Sequence, residues 1–96
     1  MNKQRHIETA SAIAIREAHV ISIMLADLDR TIRLLDGDIG AEEERTQVFN
    51  IFDPLYSILA RTLLSRRDNL KVTVTTLAQR LRSITAAVPT AIPEAA

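Results

Sequence analysis

The sequence predicts an all-α protein. The expected form is a long antiparallel helical hairpin, kinked or broken at Asp53-Pro54 into three helical segments and assembled as a dimeric helical bundle. Three observations lead there. Two apolar ladders run at alternating steps of four and three: Ile7, Ser11, Ala14, Ala18, Ile21, Leu25, Leu28, Ile32, Leu35, and then Tyr56, Ala60, Leu63, Arg67, Leu70, Val74, Leu77, Leu81, Ile84. Such spacing puts side chains on one stripe of an α-helix, the stripe a second helix covers. Both glycines of the chain fall in Asp36-Gly37-Asp38-Ile39-Gly40, a strong turn signal, and a short turn implies antiparallel neighbours. The dipeptide Asp53-Pro54 offers an N-cap followed by a residue at home in the first helical position.

The first segment, helix A, is expected over about 3–35. It holds no Gly or Pro. Its first half is small (Ala10, Ala12, Ala14, Ala18), which lets a partner helix come close. From Val20 onward the apolar face widens, with Met24 and Leu34 beside the ladder and Ile23 off it. Gly after the last apolar step is the usual left-handed stop, so a turn is expected over 36–40.

Helix B follows over about 41–52, opening on Glu42, Glu43 and Glu44, which complement the positive end of a helix dipole. The residue before Pro is pushed away from helical angles, hence the break at Asp53-Pro54. Phe49, Phe52 and Tyr56 flank that break and are all the aromatics of the chain. They read as filler at a bend or as an aromatic patch for a partner.

Helix C is expected over about 54–86. Lys71 to Thr76 is rich in β-branched residues and alone would suit a strand, but the ladder keeps the helical period through Val74 and Leu77. Residues 1–86 then form one helical domain. The tail over 87–96, with Pro89 and Pro93 among small residues, reads as disordered.

Length sharpens the expectation. At 1.5 Å per residue helices A and C are each about 50 Å long, and B adds roughly 18 Å. A rod of B and C overshoots A, leaving Val48, Phe49, Ile51 and Phe52 without cover, which is costly for a group of that kind. Another copy of the chain is the natural cover.

Composition narrows the function. With 96 residues, the chain is one domain with a thin core of its own. Eleven Leu, eleven Ile and thirteen Ala against three aromatics suit helix packing and do not suit base stacking. The net charge is zero, unlike the basic domains that bind nucleic acid. Charge is unevenly placed, however. From Asp27 to Asp53 eight acids face three Arg, a net of −5, while Ser57 to Val88 carries six bases and one acid, a net of +5. Opposite charges of this kind set register between helices, within one chain or between two. Arg67 stands on the stripe itself and needs an acid or an escape to the edge.

Without cysteine there is no disulfide or thiolate chemistry. His6 and His19, 13 residues apart, match no metal-binding frame. The acids after Asp36 fail the calcium-loop frame, with Gly40 at the fifth place, Ala41 at the sixth and Gln47 at the twelfth. No nucleophile is paired with a base and no glycine loop cradles a phosphate. No enzyme, cofactor or metal is therefore expected. The longest charge-free stretch of helix A near its middle, Ala18 to Ala26, has nine residues, short of the roughly 20 a membrane span needs. No secretion signal is evident, so neither export nor a span is expected, and the cytoplasm of a bacterium is the expected location.

The function these readings favour is a small interaction module, of adaptor, chaperone-like or regulatory kind, that acts through helix packing and homo-oligomerisation as a dimer or higher bundle, with another protein as a further expected partner. Leu25, Leu28, Ile32, Phe49, Phe52, Tyr56, Leu63, Leu70, Leu77 and Leu81 are the expected packing residues, with Arg67 setting specificity. The alternative is a nucleic-acid-associated regulator, or a binder of anionic lipid, using Arg66, Arg80 and Arg82 on helix C.

Overall fold

The computed structural model describes the backbone of residues 2–87 and the side chains of residues 9–87. The chain is all-helical, two helices packed on each other. Helix α1 runs Asn2–Thr46 and α2 runs Ile58–Ala87. Glu17 meets Arg80, Asp36 meets Arg67 and Glu42 meets Ser57, so the helices are antiparallel. The molecule is a rod, 68 × 28 × 18 Å, and its long dimension is that of α1, about 67 Å at 1.5 Å per residue.

Every described rung of both ladders is buried or half-buried: Ser11 to Leu35 on α1, and Tyr56 to Ile84 leading into and along α2. The buried positions are Ile21, Leu35, Ile39, Tyr56, Ala60 and Ile84. Two packed helices can each bury one stripe and no more. Among the described residues no large side chain is wholly enclosed, so the core is a single seam.

The expected turn over 36–40 and separate helix B are corrected: α1 continues through Gly37 and Gly40 to Thr46. Neither glycine takes a positive φ. The physical reason is the ladder itself, which carries on from Leu35 to Ile39, Glu42 and Thr46 at the same spacing. A helical glycine costs about 1 kcal/mol relative to alanine. Burying Ile39, 5% exposed, returns about 1.5–3 kcal/mol, and the backbone hydrogen bonds stay unbroken. The left-handed stop falls on Gln47, at φ 59°, where the last apolar step has passed.

Helix α2 also begins later than expected, at Ile58. Asp53-Pro54 builds a turn instead of a cap, and the cap is Ser57, whose Oγ accepts the Ala60 N–H at 3.1 Å. Antiparallel pairing starts at Glu42 and Ser57 and leaves the first turns of α1 beyond Ala87. The overshoot thus lies at the opposite end of the molecule from the one expected. Ala87 closes α2, and the expectation for the rest of the 87–96 tail lies outside the described residues, as do the side chains of His6 and Ile7.

Candidate interaction surface

The connection over 47–57 is short, ordered by its own side chains, and apolar on its outside. Two turns stand back to back. The Asp53 N–H donates to the Asn50 carbonyl at 2.9 Å, and the Tyr56 N–H to the Asp53 carbonyl at 2.9 Å. Each is braced by its first residue: Asn50 Oδ1 accepts the Phe52 N–H at 3.0 Å, and Asp53 Oδ1 accepts the Leu55 N–H at 2.8 Å. Asn and Asp favour this because their side chains reach the backbone two residues on, and Pro54 supplies the fixed φ of a second turn position.

The inner side of the connection is tied to the end of α1. The Tyr56 hydroxyl donates to Glu43 Oε2 at 2.7 Å, and the Ser57 hydroxyl donates to Glu42 Oε1 at 2.8 Å. Arg45 holds the other side of Glu42, with Nε at 3.1 Å from Oε2. With the Arg45 guanidinium and the Ser57 hydroxyl both directed at it, the Glu42 carboxyl is held down at about 2. The Tyr56 phenol is pushed up, first by burial and then by the Glu43 carboxylate. Arg61 lies over the Tyr56 ring, 5.4 Å from its centre, and donates to the Asp53 carbonyl at 3.3 Å.

This bracing turns apolar side chains outward at the turn corners and on the first turn of α2. Phe52 is 90% exposed, Ile58 82% and Leu55 77%, with Phe49, Ile51 and Leu59 beside them in the chain, also exposed. Phe52, Ile58 and Leu55 are the most exposed of the described large apolar side chains, and apolar groups of this kind at a surface are often functional.

A second apolar strip follows the outer side of α1. Ile13, Val20, Ile23, Met24 and Leu34 are exposed there. They fall on or beside a ladder displaced by one residue from the buried one, about 100° around the helix.

The packing residues expected from the sequence divide. Leu25, Leu28, Ile32, Leu63, Leu70, Leu77 and Leu81 are half-buried along the seam, and Tyr56 is buried. Phe49 and Phe52 are exposed. Arg67 donates to Asp36 Oδ1 at 3.0 Å and to Asp68 Oδ1 at 3.1 Å. Its acid comes from α1 of the same chain, where the sequence offered none on the stripe. Of the expected anion-binding trio, Arg80 is held bidentate by Glu17 at 2.9 and 3.0 Å. Arg66 lies about 21 Å away along α2, and Arg82 projects from the opposite side of the helix from Arg66. The three do not meet.

Leu55, Ile58 and Leu59 are members of the apolar end that sequence reasoning missed. Their signal was present: three large apolar residues off the ladder on both sides of it. The roles of Asn50, Ser57 and Glu42 depend on where the turns fall and had no separate signal. A groove of about 280 Å³ lies between the small residues Ala10, Ser11 and Ala14 of α1 and Ser83, Ile84 and Ala87 of α2, with the Glu17–Arg80 pair at its edge. Among the described residues no three His, Asp or Glu gather as metal ligands.

By length and composition a segment of α1, Thr9–Thr46, is apolar enough to cross a membrane, although little of it is buried in the hairpin. Arg16, Glu17 and His19 interrupt its apolar run. The mostly buried core helix of a soluble protein and a signal sequence near an N-terminus meet the same criterion. Compared with known protein families, curated proteins and solved structures, the chain matches none.

Proposed function

We propose that this chain is a non-enzymatic protein–protein interaction module whose working form is a homodimer or a higher homo-oligomer. One observation supports this most. Among the described residues thirteen large apolar side chains are exposed, against six buried apolar ones. Scattered exposed leucines are ordinary on protein surfaces, but eleven of these thirteen, all except Ile15 and Val72, fall at the loop end or on one face of α1. The loop end is held by hydrogen bonds before any partner arrives, so little ordering cost remains at binding. Its chemistry suits an apolar segment of another polypeptide.

A cytoplasmic setting accords with this reading. The charges of α1 at Arg16 and Glu17 are costly in a bilayer and are readily carried at a wet interface.

Light scattering on the purified chain at micromolar concentration tests the proposal. A dimer or larger species is expected. A thermally stable monomer overturns it.

A further inference from the structure

Resting on the homo-oligomeric reading, we infer that the outer face of α1 pairs with the same face of a second copy. The two α1 helices run antiparallel, with Arg16 of each against Asp27 of the other.

The apolar members of this face are Ile13, Val20, Ile23, Met24 and Leu34, all exposed. Val20, Ile23 and Met24 form its middle. Two charges bracket that middle on the same side of the helix: Arg16, four residues before Val20, and Asp27, three after Met24. Asp27 is exposed and also pairs with Arg30 of its own helix.

This order of charges selects an orientation. In a parallel pair Arg16 faces Arg16 and Asp27 faces Asp27, which repels twice. In an antiparallel pair about a two-fold axis between residues 21 and 22, Arg16 faces Asp27 twice. Val20 of each copy then meets Ile23 and Met24 of the other, six apolar side chains in one cluster. A two-fold interface requires such self-complementarity, and charges of this kind fix register more than they add affinity. The five side chains are 44–70% exposed, and a second copy laid along α1 in this register covers the three at the middle of the face. A bilayer would cover the same apolar residues but would have to take Arg16 and the Asp27–Arg30 pair with them, which is costly.

The test is charge exchange, read by sedimentation equilibrium of the full chain. Arg16→Asp and Asp27→Arg are each expected to weaken the dimer at least tenfold, since each turns two attractions into two repulsions. The double variant R16D/D27R is expected to regain most of that loss. Both sites are exposed, and circular dichroism checks that helicity is kept. Orientation is read separately, because the chain has no cysteine. Oxidation should link Val20→Cys chains into dimers and leave Ile13→Cys chains unlinked, as antiparallel copies hold the two residues 13 about 25 Å apart.

A dimer indifferent to both charge variants but lost in Phe52→Ser/Leu55→Ser/Ile58→Ser overturns this inference and leaves the homo-oligomeric reading standing. A parallel cross-link at Ile13→Cys does the same. A monomer in solution that floats with neutral phosphatidylcholine vesicles overturns both.

Discussion

At the scale of single residues, Gly37 and Gly40 carry the clearest consequence. A glycine stop and a glycine inside a helix have the same letter and opposite energetics. Where Gly adopts a left-handed angle, alanine is strained. Where it is helical, alanine stabilises by reducing the freedom of the unfolded chain. Both glycines are helical without a positive φ, and a Cβ added at either meets nothing within 4 Å. Gly37→Ala and Gly40→Ala should each stabilise the chain by about 0.4–1 kcal/mol, read from the midpoint of urea unfolding. Loss of stability in either would restore the turn.

Glu42 gives the second residue-scale prediction. Its carboxyl is held at about 2 in the folded chain, against an ordinary value of 4.5. A group depressed on folding adds stability above its unfolded value, and that stability is lost as pH falls through the folded one. Melting temperature should therefore decline from about pH 4.5 toward pH 2, with a shallower slope in Glu42→Gln. An unchanged slope would mean that Arg45 and Ser57 do not act on this carboxyl in solution.

At the scale of elements, the two ladders were legible in the sequence because a helix seam is a local period, repeated often enough to outweigh the β-branched run at Lys71 to Thr76. The end of α1 was not legible, because it is decided by competition. Gly37 argues for a stop, whereas Ile39, Glu42 and Thr46 argue for continuation, and the second set wins only because α2 is there to cover it. Asp53-Pro54 shows the same ambiguity, since Asp and Pro serve equally in a helix start and in a turn. The partner of Arg67 was hidden for a related reason. Asp36 belonged to the expected turn and became available on a helix only when the turn vanished.

The half-buried seam also fixes what a central substitution should do. Leu70 is a rung of α2 between Arg67 and Val74. Leu70→Glu removes a half-buried leucine from the seam and puts a carboxylate there. The nearest guanidinium on the stripe, Arg67, is already held by Asp36 and Asp68. The lost packing alone costs about 2 kcal/mol or more. A core this thin has little reserve. The variant should lose its cooperative thermal transition by circular dichroism. Near wild-type melting would show that the seam does not hold the hairpin together.

For the whole molecule, the decisive quantity is how far the hairpin's stability depends on a second copy. A 96-residue chain with one buried stripe per helix sits where domains commonly need help from assembly. If folding and association are coupled, dilution destabilises the chain by mass action, by about 1.4 kcal/mol for each tenfold change in concentration. For a domain of this size that shift corresponds to a few degrees in melting temperature. Melting should therefore rise with protein concentration across the micromolar range, and the slope should flatten in Arg16→Asp, where association is weakened. An isolated hairpin, stable on its seam alone, would melt at one temperature throughout. The exposed faces would then be left for another occupant, and flotation with neutral phosphatidylcholine vesicles separates a lipid surface from a second protein.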